Sequence, residues 1–361
     1  MNADIRQGDL EAFFQVPFEI YCDTPYVSPL KSDLLRTLDP TENPMFASDD
    51  DLGVFTCHRD GRPVGRITAH VHRASNALYD LNDACFGFFD CADDADVARS
   101  LLGAAEGWAR DRGFDRIAGN FNLTAMQQLG VQTDGFDRPG YTDMIVGAAH
   151  VAEHLTRNAY ERYFPVTTFE VALDRARIVS VTLPEGLSFA PVTKKTFAAR
   201  MEDARIVLND GFSRNPMFVP LSAEEFLFQA GEMTTILDPR LSSVVLDGGR
   251  PVGVAICIPD LNGFLSATRS RFSLLTPLHF LRHRLTRKRA VIIFYSVAQA
   301  HHGQGIMSAI VARTLKSLKA AGYRQLGITW IAEDNAGSLR MMEKIGAEPL
   351  HHLHLFRKDL R

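Results

Sequence analysis

The sequence predicts an α/β protein built from two tandem units, each a mixed central sheet flanked by helices. Three observations carry that prediction. Residues 290–356 follow the order apolar strand, glycine turn, amphipathic helix, strand, short helix, strand. The pentapeptide Gly-Arg-Pro-Val-Gly occurs twice, at 61–65 and 249–253, each time between two apolar runs. A helix in each half ends on glycine plus aromatic, at Gly113-Phe114 and Gly322-Tyr323.

Each pentapeptide reads as a β-hairpin turn, its bend supplied by Asp, Gly and Pro. The flanking strands are Gly53 to Cys57 and Arg66 to Val71 in the first copy. In the second they are Leu241 to Leu246 and Val254 to Ile258. Phe169 to Leu173 reads as the last strand of the first unit, which puts the boundary near 175 and the units at 1–175 and 176–361. The second copy is longer because of an insertion at about 260–290. Ala290 to Val297 is apolar and β-branched, a buried strand. Ile306, Ile310, Val311, Leu315 and Leu318 then line one helical face that Gly322 terminates. Gln325 to Ile331 is the next strand, Glu333-Asp334-Asn335 opens a short helix, Gly346 closes it, and Leu353 to Phe356 ends the unit.

A chain of 361 residues suits two domains. The net charge of −4 gives no global attraction to nucleic acid. Five scattered cysteines without a Cys-x-x-Cys pair suggest neither a disulfide framework nor a zinc site, and no metal is expected. Without a signal-peptide core or an apolar run of spanning length, the cytoplasm is the expected location.

A glycine turn between strand and helix aims backbone N–H groups at one spot, where the helix dipole favours an anion. A dinucleotide fingerprint would need a third glycine where Ser308 stands, and a P-loop would need a lysine that the turn lacks. The remaining pattern, Arg/Gln-x-x-Gly-x-Gly/Ala, resembles the coenzyme A pyrophosphate loop of the GNAT acyltransferases, here His302-Gly303-Gln304-Gly305-Ile306-Met307. The order of elements that follows resembles the GNAT core throughout. In the first half the corresponding place is Phe88-Phe89-Asp90-Cys91-Ala92-Asp93-Asp94-Ala95-Asp96, without glycine and with aspartates suited to capping a helix. The first unit therefore reads as a degenerate copy, leaving one coenzyme A site per chain.

Further stretches, among them Val16-Pro17-Phe18-Glu19-Ile20-Tyr21, Leu38-Asp39-Pro40-Thr41-Glu42-Asn43-Pro44-Met45, Gly119-Asn120-Phe121-Asn122 and Ile258-Pro259-Asp260-Leu261-Asn262, resemble a family of tandem GNAT-like proteins similar to the bacterial ceramide synthases. That resemblance implies transfer of a long acyl chain from acyl-CoA to the amine of a sphingoid base such as 3-oxosphinganine. It departs from the family pattern at His302 (usually Arg), Asn120 (usually Pro) and Met307 (usually Gly or Ala). Under this reading Gly303, Gln304, Gly305, Ile306 and Met307 hold the pyrophosphate, with His302 adding partial charge. Ser296-Val297-Ala298 offers N–H groups to the pantetheine and the oxyanion, and Asn335 bonds the pantetheine arm. The usual acid, a tyrosine seven residues after that asparagine, is replaced by Met342, so Tyr295 is the substitute candidate. Glu333 is the leading candidate for general base and Asp260 the next. Asn262 and Trp330 are candidates for the acceptor site.

The insertion carries seven Arg or Lys and no acid between 261 and 290, interleaved with Phe and Leu. Such a segment can lie on an anionic membrane surface, rim the coenzyme A phosphates, or form a plain lid. Three functions stay open: long-chain N-acylation of a lipid amine at the inner membrane face, acetylation of a small-molecule or protein amine, and non-catalytic binding of acyl-CoA or lipid.

Overall fold

A computed structural model of the chain describes residues 3–22, 24–177, 182–230 and 238–361. The first half runs β1 (Asp4–Gln7), α1 (Leu10–Ile20), α2 (Lys31–Thr37), β2 (Leu52–Arg59), β3 (Arg62–His70), α3 (Arg73–Tyr79), β4 (Asp83–Cys91), α4 (Ala95–Asp111), β5 (Arg116–Gly119), β6 (Val131–Asp134), α5 (Ala149–Arg157) and β7 (Glu161–Ala172). The second runs β8 (Leu187–Ala190), α6 (Phe197–Gly211), α7 (Ala223–Ala230), β9 (Ser243–Asp247), β10 (Arg250–Pro259), α8 (Asn262–Thr268), α9 (Thr276–Thr286), β11 (Arg289–Val297), α10 (Ile306–Ala320), β12 (Gln325–Ala332), α11 (Ala336–Ile345) and β13 (Glu348–Asp359).

Both pentapeptides sit at hairpins, β2–β3 and β9–β10. Their turns, Asp60-Gly61 and Gly248-Gly249, have positive φ at both positions, the geometry whose twist matches antiparallel strands. Gly113 and Gly322 follow α4 and α10 in left-handed conformation, as helix terminators do. The apolar stripe of α10 is buried against the second half of the sheet, and α4 covers the first with Val97, Leu101, Leu102, Ala105 and Trp108.

One finding differs from the expectation of two central sheets. The strands form a single mixed sheet in the order β1-β2-β3-β4-β5-β13-β7-β12-β11-β10-β9-β8, with β6 paired to β13. Each half is completed by the other's last strand: β13 pairs with β5, and β7 pairs with β12. β7 and β13 also run antiparallel to each other, from Glu161↔Arg357 to Glu170↔Glu348. These two strands each have a neighbour on both sides, so their hydrogen bonds join the two halves into one sheet.

β11 and β12 pair in parallel only from Arg289↔Gln325 to Ile292↔Ile328. Beyond that point β11 stays with β10 as far as Val297↔Gly253, and β12 stays with β7 as far as Ala332↔Val166. The strands therefore splay, and the Thr329 hydroxyl donates to the Ile293 carbonyl at 2.7 Å at the fork. Gly327, just before it, has no room for a side chain: a Cβ there would lie 2.6 Å from the Tyr141 ring. This close approach seats the loop after β6 against β12.

Candidate active site

The glycine turn leaves β11 through a short 3-10 turn, Gln299–His301, and reaches α10 at Gly305. Gly303 and Gly305 both lie in the left-handed region, with φ of 78° and 80°, and a Cβ on either would meet nothing within 4 Å. Two such residues fold successive N–H groups into a concave nest. Gly305 is the cap of α10 and no side chain bonds its first turn, so these donors and the dipole face outward. His302 turns back, its Nε2 2.9 Å from the Val297 carbonyl, which holds the turn against the strand end. Lys344 of α11 reaches Ser308 in the first turn of α10 at 3.1 Å. That cation beside the nest was not legible in the sequence, because two separate helices bring it there. Met307 packs its side chain on the core behind the turn.

The fork between β11 and β12 opens into a cavity of about 270 Å³ lined by Tyr295, Trp330, Asn335 and Ser338, together with Gly211, Phe212, Arg214 to Phe218 and Met126. The N–H of Ala298 is spent on the Val252 carbonyl, and strand alternation turns Ser296 the same way. Of the three expected donors, then, Val297 is the one whose backbone faces the gap. The Tyr295 hydroxyl oxygen is buried beside Ser338 without a formed hydrogen bond. Burial pushes its pKa up to about 12, with Ser338 pulling the other way, so the group stays protonated and able to donate. The Asn335 side chain caps α11, accepting from Ser338 N at 3.1 Å, which leaves its NH₂ for another partner. Trp330 packs edge-on against Phe164, with ring centroids 6.3 Å apart.

The two carboxylates favoured as base sit elsewhere. Glu333 is exposed and lines neither cavity, because β12 has already turned away with β7 at that point. Asp260 is buried and fully engaged: it accepts from the Thr142 N–H at 2.9 Å, the Thr142 hydroxyl at 3.0 Å and Asn262 N–H at 3.2 Å, with Arg289 at 3.3 Å. Asp260 thus anchors the loop after β6. Asn262 shares that duty, donating to the Gly140 carbonyl at 3.2 Å, and also lines the larger cavity.

That larger cavity, about 660 Å³, adjoins the fork through Met126, Ile293 and Phe294, which line both. Its size is that of a whole small-molecule site. The first half supplies one wall, including Arg66, Asp90, Asn122 and Gln128, and the loop after β6 adds Tyr141 to Ala148. The insertion supplies another wall from Leu261, Phe264, Leu265, Phe272 and Phe280. At the first-half wall, buried Arg66 donates to Asp90 at 2.8 Å and to the Tyr26 hydroxyl at 2.8 Å, while Tyr21 donates to Asp90 at 2.7 Å.

The insertion folds as α8 and α9. Helix α9 buries none of its own residues, and Phe272, Leu274, Leu275, Leu278, Leu281 and Leu285 are exposed. Its basic character is partly spent on the protein: Arg271 pairs with Glu11, Arg287 with Asp238 and Arg289 with Asp260. Arg282 and Arg284 carry no ion pair among the described residues. The histidines at 351, 352 and 354 bond the Arg138 carbonyl, Thr167 and Thr133, respectively. No described helix is long and apolar enough to cross a membrane.

This geometry defines a class. An open glycine nest at a helix start, a strand fork beside it and a cavity at the fork are the parts of a GNAT site, and residues 212–347 match the model of the acetyltransferase (GNAT) family. Two solved structures match nearly the whole chain at 13% identity: a GCN5-related N-acetyltransferase from Sphaerobacter thermophilus (TM-score 0.60, 99% of this chain and 96% of that one) and a tandem GNAT protein from the clavulanic acid biosynthesis pathway (TM-score 0.61, 99% of both). The chain therefore has the fold of tandem GNAT proteins, and its second half carries the match to the family's model. Among curated proteins it is similar to Protein YghO of Escherichia coli (strain K12), 25% identical over 99% of this chain and 94% of that protein. It is also similar to the bacterial ceramide synthase of Caulobacter vibrioides (strain NA1000 / CB15N), 23% identical over 99% of this chain and 98% of that protein.

Proposed function

We propose that the protein transfers a long acyl chain from acyl-CoA to the primary amine of a sphingoid-type lipid, taking the acceptor from an anionic membrane surface. The observation that carries this reading is the 660 Å³ cavity joined to the strand fork. An acetyl group and a small amine need no such volume, whereas an alkyl chain does.

In this mechanism Gly303, Gln304, Gly305 and Ile306 bind the pyrophosphate through backbone N–H groups, with Lys344 and His302 at its edge. The pantetheine lies in the fork, paired to Val297 and reached by the Asn335 amide, which sets the thioester beside Tyr295. The amine nitrogen attacks the thioester carbon, and backbone donors of the fork stabilise the oxyanion. The Tyr295 hydroxyl gives its proton to the departing thiolate. The closed start of α4 in the first half leaves one acyl-CoA site per chain, and units 1–175 and 176–361 divide the work: the second holds the donor and the first walls the acceptor. Helix α9 rests on the bilayer with its leucines, with Arg282 and Arg284 toward lipid phosphates, and covers the cavity with Phe280.

The test measures thiol release with palmitoyl-CoA or acetyl-CoA, each with a sphingoid base, with a small amine, and without acceptor. Faster turnover with palmitoyl-CoA and the sphingoid base supports the proposal, and turnover confined to acetyl-CoA and small amines overturns it. Replacing Leu278 and Leu281 by Ser should weaken binding to anionic vesicles about tenfold or more, since each buried leucine contributes roughly 1.5–3 kcal/mol. Equal vesicle binding by parent and variant removes the membrane part of the proposal.

A further inference from the structure

The loop after β6, residues 135–148, brings a third carboxylate into the large cavity: Asp143. It stands in left-handed backbone conformation, φ 70°, beside Thr142, which Asp260 pins in place. It is half-buried where it lines the cavity, and it forms no ion pair among the described residues. Its carboxyl interacts with the Gln128 side-chain amide, which acts as a hydrogen-bond donor to it.

That contact ends a directional chain. The Phe88 N–H donates to Asn122 Oδ1 at 2.8 Å and the Phe89 N–H to Asn120 Oδ1 at 3.1 Å. Asn120 then donates to Asn122 Oδ1 at 2.9 Å, Asn122 donates to Gln128 Oε1 at 2.7 Å, and Gln128 donates to Asp143. Every amide points its N–H the same way, toward the carboxylate, and such chains polarise one another. The Gly119-Asn120-Phe121-Asn122 motif thereby has a physical task.

We infer that Asp143 holds the ammonium of the acceptor amine in the large cavity and accepts its first proton before attack on the thioester. This rests on the acyltransferase reading of the fork and adds how the acceptor is recognised. A half-buried carboxylate without a counter-ion is costly to ionise, and a substrate ammonium supplies the missing charge. Burial pushes the Asp143 carboxyl up to about 8 and the Gln128 hydrogen bond pulls it down, which suits proton exchange with an amine near neutral pH. The other titratable groups of the cavity are Tyr21, Tyr26, Asp33, Arg36, Arg66, Asp90 and Tyr141, and none contributes to that shift. Arg66 and Asp90 are bonded to each other and to Tyr26 and Tyr21, and Arg36 lies over the Phe228 ring.

The proton count closes. The ammonium gives one proton to Asp143, which passes it to water. The freed nitrogen bonds the thioester carbon as the carbon–sulfur bond breaks, and a second proton leaves nitrogen in exchange for the one Tyr295 gives the thiolate. The products are a neutral amide and free coenzyme A thiol.

Titration of the full-length protein with decylamine and with decanol, without acyl-CoA, tests recognition alone. The wild type should prefer decylamine, and Asp143→Asn, which is isosteric and lacks the titrating carboxyl, should bind it tenfold or more weakly while decanol affinity stays put. Equal affinity of wild type and Asp143→Asn for decylamine, or no wild-type preference over decanol, overturns the inference. In turnover, Asp143→Asn should lose about 10²-fold or more in kcat/KM for the amine, recovering as pH rises and free amine accumulates. Gln128→Leu should move the pH midpoint of kcat/KM upward, because the bond that stabilises the carboxylate is gone. An unmoved midpoint in Gln128→Leu counts against Asp143 as the titrating group. If decylamine binds through Asp143 but no acyl-CoA releases thiol, the ammonium site stands and the transferase reading falls.

Discussion

The strand-to-helix turns of the two halves occupy the same place in their units and are built for opposite ends. In the second half, α10 starts on a left-handed glycine with its N–H groups open. In the first, α4 starts on Asp94, whose carboxylate accepts from Asp96 N at 2.9 Å and Val97 N at 3.2 Å. A carboxylate already fills the spot a pyrophosphate would take. The forks differ in the same sense. Beyond Ile292↔Ile328 only the Thr329 hydroxyl bridges the second fork among the described hydrogen bonds, while beyond Phe86↔Gly119 the first is filled by Asn120 and Asn122 bonded to the N–H groups of Phe89 and Phe88. A repeated unit can thus keep its fold and exchange an open corner for side chains that brace a neighbour's cavity. The difference lies in a few polar residues at equivalent corners.

The largest effect should come from making the open turn like the closed one. Gly305→Asp places an anion in the nest and forces a side chain into left-handed backbone. Acyl-CoA affinity, read by titration calorimetry, should fall at least 100-fold while the melting transition remains cooperative. Undiminished affinity would show that the donor binds elsewhere. A smaller effect is expected at the fork. Tyr295→Phe should lower kcat about tenfold or more and leave acyl-CoA affinity nearly unchanged, since the hydroxyl acts on the leaving thiolate rather than on bound donor. A Tyr295→Phe enzyme with unaltered kcat would give the proton to another donor. The smallest effect belongs to the closed turn. Asp94→Ala should cost about 1 kcal/mol of stability through the lost cap, measurable by denaturant unfolding, without adding a second acyl-CoA per chain. A stoichiometry of two would mean that the cap alone closes the first site and that the asparagines do not.

Local features were legible in the sequence because their physics is local. The hairpins at 61–65 and 249–253 follow from turn residues that accept positive φ, α10 from the period of its apolar residues, and the open turn from glycines within one short segment. His302, Val297, Tyr295 and Asn335 are gathered at the turn and fork because all four flank that segment or the next helix. Glu333 and Asp260 have the chemistry of a base and lie near the turn in sequence, but spacing does not say which way a carboxylate points at a strand end. β12 leaves with β7 before Glu333, and Asp260 is consumed by a loop more than a hundred residues upstream.

The chain alone therefore determined the tandem units, the open glycine turn, the contrast between the two helix starts and the basic, leucine-rich insertion. Tertiary structure decided the rest: the exchange of β7 and β13, the cation of Lys344 beside the nest, the large cavity, and the amide chain that ends on Asp143. Periodicity and capping are set by neighbours within a few residues and can be read from order. Partners across a sheet or a cavity are set by closure of the whole chain, and their identity exists only once it has folded.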